Sequence, residues 1–81
     1  MRRNDLDICA DILQVAKKGA KKTQIVYQAN LNFKIVKRYL NRLITTGMLS
    51  KVEERRLYTT TNRGMMFLEQ YNELVLPIKM F

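Results

Sequence analysis

Histidine is absent from this chain of 81 residues, cysteine and proline occur once each, glycine three times, and acids only seven times. Each scarcity removes something. Without histidine, the commonest acid–base group of enzymes is missing. The few acids fall where helix caps or a hairpin would place them, and no glycine-rich phosphate loop is present. The chain therefore reads as a non-enzyme that needs no cofactor. A lone thiol, Cys9, cannot form an internal disulfide, so nothing points to an oxidising compartment, and a structural zinc site is excluded in practice. No stretch approaches the ~18 apolar residues of a transmembrane helix. The opening "MRRNDLDIC" carries acids where a signal peptide would be apolar. The expectation is a soluble, cytoplasmic protein with no membrane partner, and no small-molecule ligand is evident.

What is present in quantity is positive charge. Fifteen basic residues against seven acids give a net charge of +8 and a pI near 10.0. Such a body raises the local concentration of polyanions. The charge is also segregated. Asp5, Asp7 and Asp11 lie at the start, and the next acid is Glu53. Between them stand Lys17, Lys18, Lys21, Lys22, Lys34, Lys37, Arg38, Arg42 and Lys51 with no carboxylate to offset them. A surface that serves only solubility mixes both signs.

Periodicity gives the elements. "NDLDICADILQVAKKG" is an amphipathic helix, capped by Asn4 or Asp5 and ended at Gly19, with Cys9, Ile12, Leu13 and Ala16 inward. Thr23 looks like the cap of a short second helix that buries Ile25, Val26 and Ala29. Asn30-Leu31-Asn32 makes a turn, and Asn32 caps a third helix from about Phe33 to Thr46. Val36, Leu40 and Leu43 form its apolar side, with Lys34, Lys37, Arg38, Asn41 and Thr45 opposite. After Gly47 the pattern of "MLSKVEERRLYTT" suits two strands joined near Glu53 to Arg55. Thr61 caps a last helix that Pro77 is expected to close, after roughly four turns at most. The length allows one domain, residues 1–81, of class α+β and mainly α. Its layout is three helices, a two-stranded β-hairpin and a C-terminal helix.

Here the sequence resembles a known group, the small winged helix-turn-helix proteins of archaea and their viruses. These include predicted transcriptional regulators and an abundant chromatin-type DNA-binding protein. The matching residues are "KTQIVYQANLNFKIVKRYLNRLITTGML" and "YTTTNRGMMFLEQYNEL". Leu43, Gly47, Met48 and Leu49 supply the exit from the recognition helix, and Tyr58, Thr61 and Gly64 the start of the last one. The resemblance implies duplex DNA as partner, with helix 33–46 in the major groove. Two departures stand out: Glu53 and Glu54 put acids near the wing tip, and the last helix is shorter than the coiled-coil helix of the chromatin-type relatives.

The candidate DNA-binding residues are Thr23, Gln24, Asn32, Phe33, Lys34, Lys37, Arg38, Asn41, Arg42, Lys51, Arg55 and Arg56. Arginine and lysine suit guanine, and asparagine can pair with adenine. Thr23 and Gln24 would offer a helix start to a phosphate. Lys17, Lys18, Lys21 and Lys22 are either phosphate clamps or solvated loop lysines. Arg2 and Arg3 form either a minor-groove arm or a disordered end, and disorder is the expectation. Cys9 reads as a buried small hydrophobe. Tyr27, Tyr39 and Tyr71 read as core or interface residues, and Tyr58 as core.

The last helix carries more apolar surface than one domain can cover. Phe67, Leu68, Tyr71, Leu74 and Val75 share a face, Met65 and Leu76 lie on another, and Ile78, Met80 and Phe81 follow. A homodimer through residues 62–81 is expected, with Met65, Leu68, Tyr71, Val75, Leu76, Ile78 and Phe81 in the seam. The overall expectation is a homodimeric transcriptional regulator, nucleoid-associated, or in a host's cytoplasm if viral. The alternatives are a sequence-nonspecific chromatin protein, or a protein-interaction module using the winged helix and the apolar tail.

Overall fold

The computed structural model describes residues 3–79, with side chains described for residues 3–78. The chain runs α1 (Asp5–Val15), α2 (Lys22–Gln28), α3 (Phe33–Thr45), β1 (Leu49–Val52), β2 (Leu57–Thr60) and α4 (Asn62–Lys79), the order the sequence predicts. Met1, Arg2, Met80 and Phe81 lie outside the described residues, and with them the roles assigned to Arg2 and Phe81.

Caps set most of the boundaries. At α1, Asn4 Oδ1 accepts from Asp7 N at 2.8 Å and Asp7 Oδ2 accepts from Asn4 N at 3.2 Å, a reciprocal box that satisfies two free amides. At α3, Asn32 Oδ1 accepts from Ile35 N at 2.8 Å. At α4, Thr61 Oγ1 accepts from Gly64 N at 3.1 Å and donates to Gly47 O at 2.6 Å. Gly47 leaves α3 with φ +81°, a conformation that favours glycine, and turns the chain into β1.

Two boundaries differ from the sequence reading. The second helix starts at Lys22 and not after Thr23; its N-cap is Lys21, which makes no side-chain cap bond. The cause is tertiary. Ala20 N donates to Tyr58 O at 2.9 Å and Tyr58 N to Ala20 O at 2.8 Å, so the chain is held extended up to Lys21. The last helix runs through Pro77 to Lys79, 18 residues in all. Proline lacks one donor but leaves the amides of the residues after it able to bond, and near a helix end little is lost.

β1 and β2 pair antiparallel with Leu49 opposite Thr60 and Val52 opposite Leu57. Glu53 to Arg56 form the turn, and Arg56 takes φ +53°, the left-handed step for which the sequence supplies no glycine. The bridge to Ala20 ties this hairpin to the α1–α2 connection. β2 is also sewn to α1: Thr60 N donates to Ala16 O at 3.0 Å, and its buried hydroxyl donates to Leu13 O at 2.6 Å.

The core joins every element. Ile12, Leu13, Ile25, Val36 and Leu49 are its largest fully enclosed side chains, with Leu40, Leu43 and Leu68 around them. α1 lies against α2, β2 and α4, and α3 against α2 and β1. Leu68 is thus committed to its own domain, which corrects its place in the predicted dimer seam: it shares a helix face with Phe67 and Tyr71, and α1 covers that face. Two tyrosines fasten helices to α1, with Tyr39 of α3 donating to Asp5 and Tyr71 of α4 donating to Asp7.

Candidate nucleic-acid interface

α3 divides cleanly. Val36, Tyr39, Leu40 and Leu43 are buried. Lys34, Lys37, Arg38, Asn41 and Thr45 are exposed on the other side, as predicted. Among the described residues, the side chains of Lys34, Lys37, Arg38 and Asn41 have no hydrogen-bonding or ionic partner, so their charge and donors face outward unspent. Asn32 is different, since its side chain is occupied in capping α3.

Arg42, a DNA-binding candidate in the sequence, is engaged within the chain. Its guanidinium lies 5.4 Å from the centre of the Tyr39 ring and 3.8 Å from Asp5 Oδ2. It therefore turns toward α1, away from Lys34 and Lys37. The Asp5–Tyr39 bond, then burial, push the Tyr39 phenol above its ordinary value. Burial also raises the Cys9 thiol, with Arg42 opposing and Asp5 adding a little. Cys9 is half-buried against the core, not fully enclosed as the sequence reading has it, and its burial disfavours the thiolate.

The second cluster is not legible as such in the sequence. A cleft of about 490 Å³ opens between the start of α2 and the hairpin. Lys21, Lys22 and Thr23 form one wall, and Lys51, Arg55, Arg56 and Tyr58 the other. The Ala20–Tyr58 bridge holds the two walls together. Lys51 Nζ sits 5.7 Å from the centre of the Tyr58 ring, and Lys22 Nζ sits 5.9 Å from that of Phe33. Lys22 thus links the cleft to the first residue of α3. The basic hairpin residues and the lysines of the α1–α2 connection, distant in sequence, form one surface beside the amino end of α3. Gln24 is exposed in the first turn of α2 but does not line the cleft, and neither do Lys17 and Lys18.

Tyr27 is 81% exposed, on the side of α2 opposite Ile25 and Val26, so of its two expected roles, core or interface, the core one is excluded. Phe33, a DNA-binding candidate, is 51% exposed. Arg3 is ordered where disorder is the expectation: its guanidinium donates to Ala29 O at 2.6 Å, Asn30 O at 2.9 Å and Asp11 Oδ2 at 2.9 Å. It braces the turn between α2 and α3 from the side of α1, a role that short-range pattern could not reveal.

α4 presents the remaining apolar surface. Tyr71 and Val75 are half-buried on α1, while Met65, Met66, Leu76 and Ile78 are exposed. Leu74 and Ile78 continue the stripe of Phe67 and Tyr71 beyond the cover that α1 gives, and are 73% and 74% exposed. No helix among the described residues is long and apolar enough to cross a membrane.

The comparisons agree with this architecture. A family model described as "Winged helix-turn-helix" matches residues 2–78. Two uncharacterized proteins of Methanocaldococcus jannaschii are similar in sequence. MJ0290 is 33% identical over 75 residues, which is 91% of this chain and 35% of that protein. MJ0287 is 33% identical over 74 residues, 90% of this chain and 74% of that protein. The chain therefore spans about a third of one relative and about three quarters of the other. Among solved structures, Sso10a-2 from Sulfolobus solfataricus superposes with a TM-score of 0.83 at 24% identity, covering 95% of this chain and 83% of that one. With hairpin, helix pair and family match in agreement, the chain belongs to the winged helix-turn-helix family.

Proposed function

We propose that this protein binds duplex DNA, with α3 in the major groove and the basic cleft beside it on the phosphate backbone, and that it acts as a homodimeric transcriptional regulator in the cytoplasm. The observation that carries the reading is the outward face of α3. Lys34, Lys37, Arg38 and Asn41 stand on one exposed side of a helix, with no intramolecular partner among the described residues. An α-helix of this kind fits the major groove, and such side chains match guanine and adenine edges. Membership of the winged helix-turn-helix family supports it. So does the description of the structural neighbour Sso10a-2 as a DNA-binding protein.

Dimerisation is supported by Leu74 and Ile78. Each large apolar side chain left in water forgoes about 1.5–3 kcal/mol of burial, and two-fold pairing is the usual way to recover it. Pairing would set two α3 helices against two half-sites.

The test is a selection from random duplexes followed by titration of the selected site. A regulator enriches a motif; Arg38→Ala and Asn41→Ala then relax it, each at a cost of about 1–3 kcal/mol of discrimination. Enrichment of no motif, with tight binding retained, would make the protein a sequence-nonspecific chromatin protein. Unchanged affinity and preference in both variants would remove α3 as the reader.

A further inference from the structure

α3 opens on an exposed phenyl ring. Leu31, Ile35 and Val36, its apolar neighbours in sequence, pack into or against the core, whereas Phe33 stands 51% exposed. The helix does not need the ring in order to start, since Asn32 Oδ1 supplies the cap. The position of the ring is defined on two sides. Lys22 Nζ stands over it, 5.9 Å from its centre, and Lys22 also lines the basic cleft. Lys37, one helical turn further along α3, shares its ridge and belongs to the exposed basic face. Phe33 therefore marks the boundary between the surface assigned to phosphates and the surface assigned to bases. It does so at the amino end of α3, the end from which a recognition helix reaches base edges.

A phenyl ring has no donor or acceptor to offer a base. What it can meet is an apolar part of a base edge. In the major groove of unmodified DNA that part is the 5-methyl group of thymine. The methyl lies between O4 and the sugar-bearing side of the base, so it is the portion of the edge nearest to its own strand's backbone. A ring set between a phosphate-facing lysine and the base-reading face matches that location.

We propose that Phe33 reads the 5-methyl group of a thymine and is a specificity-determining residue alongside Lys34, Lys37, Arg38 and Asn41. The proposal rests on the function proposed above. It adds a base that those side chains do not supply, since they match guanine and adenine edges.

The experiment starts from the duplex site selected with the full chain. Each thymine of the site is replaced singly by uracil, which keeps O4 and the base pair and loses only the methyl. Affinities are measured by fluorescence anisotropy at fixed salt for the wild type, Phe33→Ala and Arg38→Ala, with equal melting curves establishing that both variants fold. At one thymine per half-site, uracil is expected to weaken the wild type about four-fold, the worth of one buried methyl. Phe33→Ala should bind thymine and uracil there within about 1.5-fold of each other, whereas Arg38→Ala, weaker on both, should keep the four-fold difference. A uracil penalty of the same size in Phe33→Ala would overturn the inference, because the methyl is then read by another group or through the shape of the duplex. So would a selected site that tolerates uracil at every position, or one without thymine; in both cases binding and motif stand, and with them the proposed function. Failure to bind duplex, or binding with no enriched motif, removes the sequence reader itself, and the role of Phe33 falls with it.

Discussion

Replacing Gly64 by alanine tests how α4 is joined to the hairpin. A methyl group built on Gly64 would lie 2.3 Å from the Met48 carbonyl oxygen and 2.6 Å from Thr60 Cγ2. Ordinary contact needs more than a further ångström, and the nearer obstacle is backbone, which cannot rotate aside. The first turn of α4 must therefore back away from the residue that precedes β1. That move strains Thr61 N to Met48 O at 3.0 Å and Arg63 Nη1 to Thr46 O at 3.2 Å. Each such bond contributes about 0.5–1.5 kcal/mol, and overpacking adds about 1–3 kcal/mol. Against this, alanine is the better helix former by about 1 kcal/mol. The balance is a loss of about 3 kcal/mol. In a domain of this size that lowers the melting temperature by roughly 15 °C. Urea titration followed by circular dichroism measures it directly. If Gly64→Ala is as stable as the wild type, or more stable as helix propensity alone would have it, the close approach is not a constraint and the reasoning is wrong.

Tyr39→Phe should destabilise the fold by about 0.5–1 kcal/mol at neutral pH, since it removes a bond to a carboxylate that is 72% exposed and therefore screened by solvent. Because the phenol is raised in the folded state, the tyrosine's contribution is fully present below its unfolded value near 10 and is lost as pH climbs through the raised folded value; stability curves for the two proteins that fail to converge at high pH would refute this. Duplex affinity should fall steeply with salt, at a logarithmic slope near −5 if about six phosphates are neutralised per dimer, and a flat salt titration would end the case for DNA. Leu74→Glu should abolish self-association and with it any rise of the melting temperature with protein concentration, while the monomer still folds, because Leu74 is 73% exposed within the single chain; a wild type that sediments as one chain at every concentration would refute dimerisation through α4.

Local signals in the sequence reached far into the fold. Asn4, Asn32 and Thr61 each cap the helix that follows them, because the cap is a matter of a few neighbouring residues. The two sides of α3 also separate as the spacing predicts. What the sequence withholds is set at long range. Lys21 and not Thr23 opens α2, because Tyr58 grips Ala20 from a strand far along the chain. Arg42 turns to Asp5 and Tyr39, across the α1–α3 contact. Arg3 reaches the carbonyls of Ala29 and Asn30. The cleft unites lysines of a loop with arginines of a hairpin turn, so that no window of sequence contains both of its walls. The partial cover of α4 is of the same kind: Leu74 and Ile78 lie on the stripe of Phe67 and Tyr71, and only the extent of α1 decides which of them stay wet.

The bridge between Ala20 and Tyr58 has a mechanical consequence. It adds a third edge to the two-stranded hairpin and ties it to the connection beside α2, so swinging the hairpin away from that connection costs both bonds. A partner must come to this surface with its own curvature matched, or bend to match it. On the reading proposed above, the protein is then the stiff member of the pair and the cost of fitting falls on the duplex. Sequences with easily kinked pyrimidine–purine steps under the hairpin would be preferred without any side chain touching their bases.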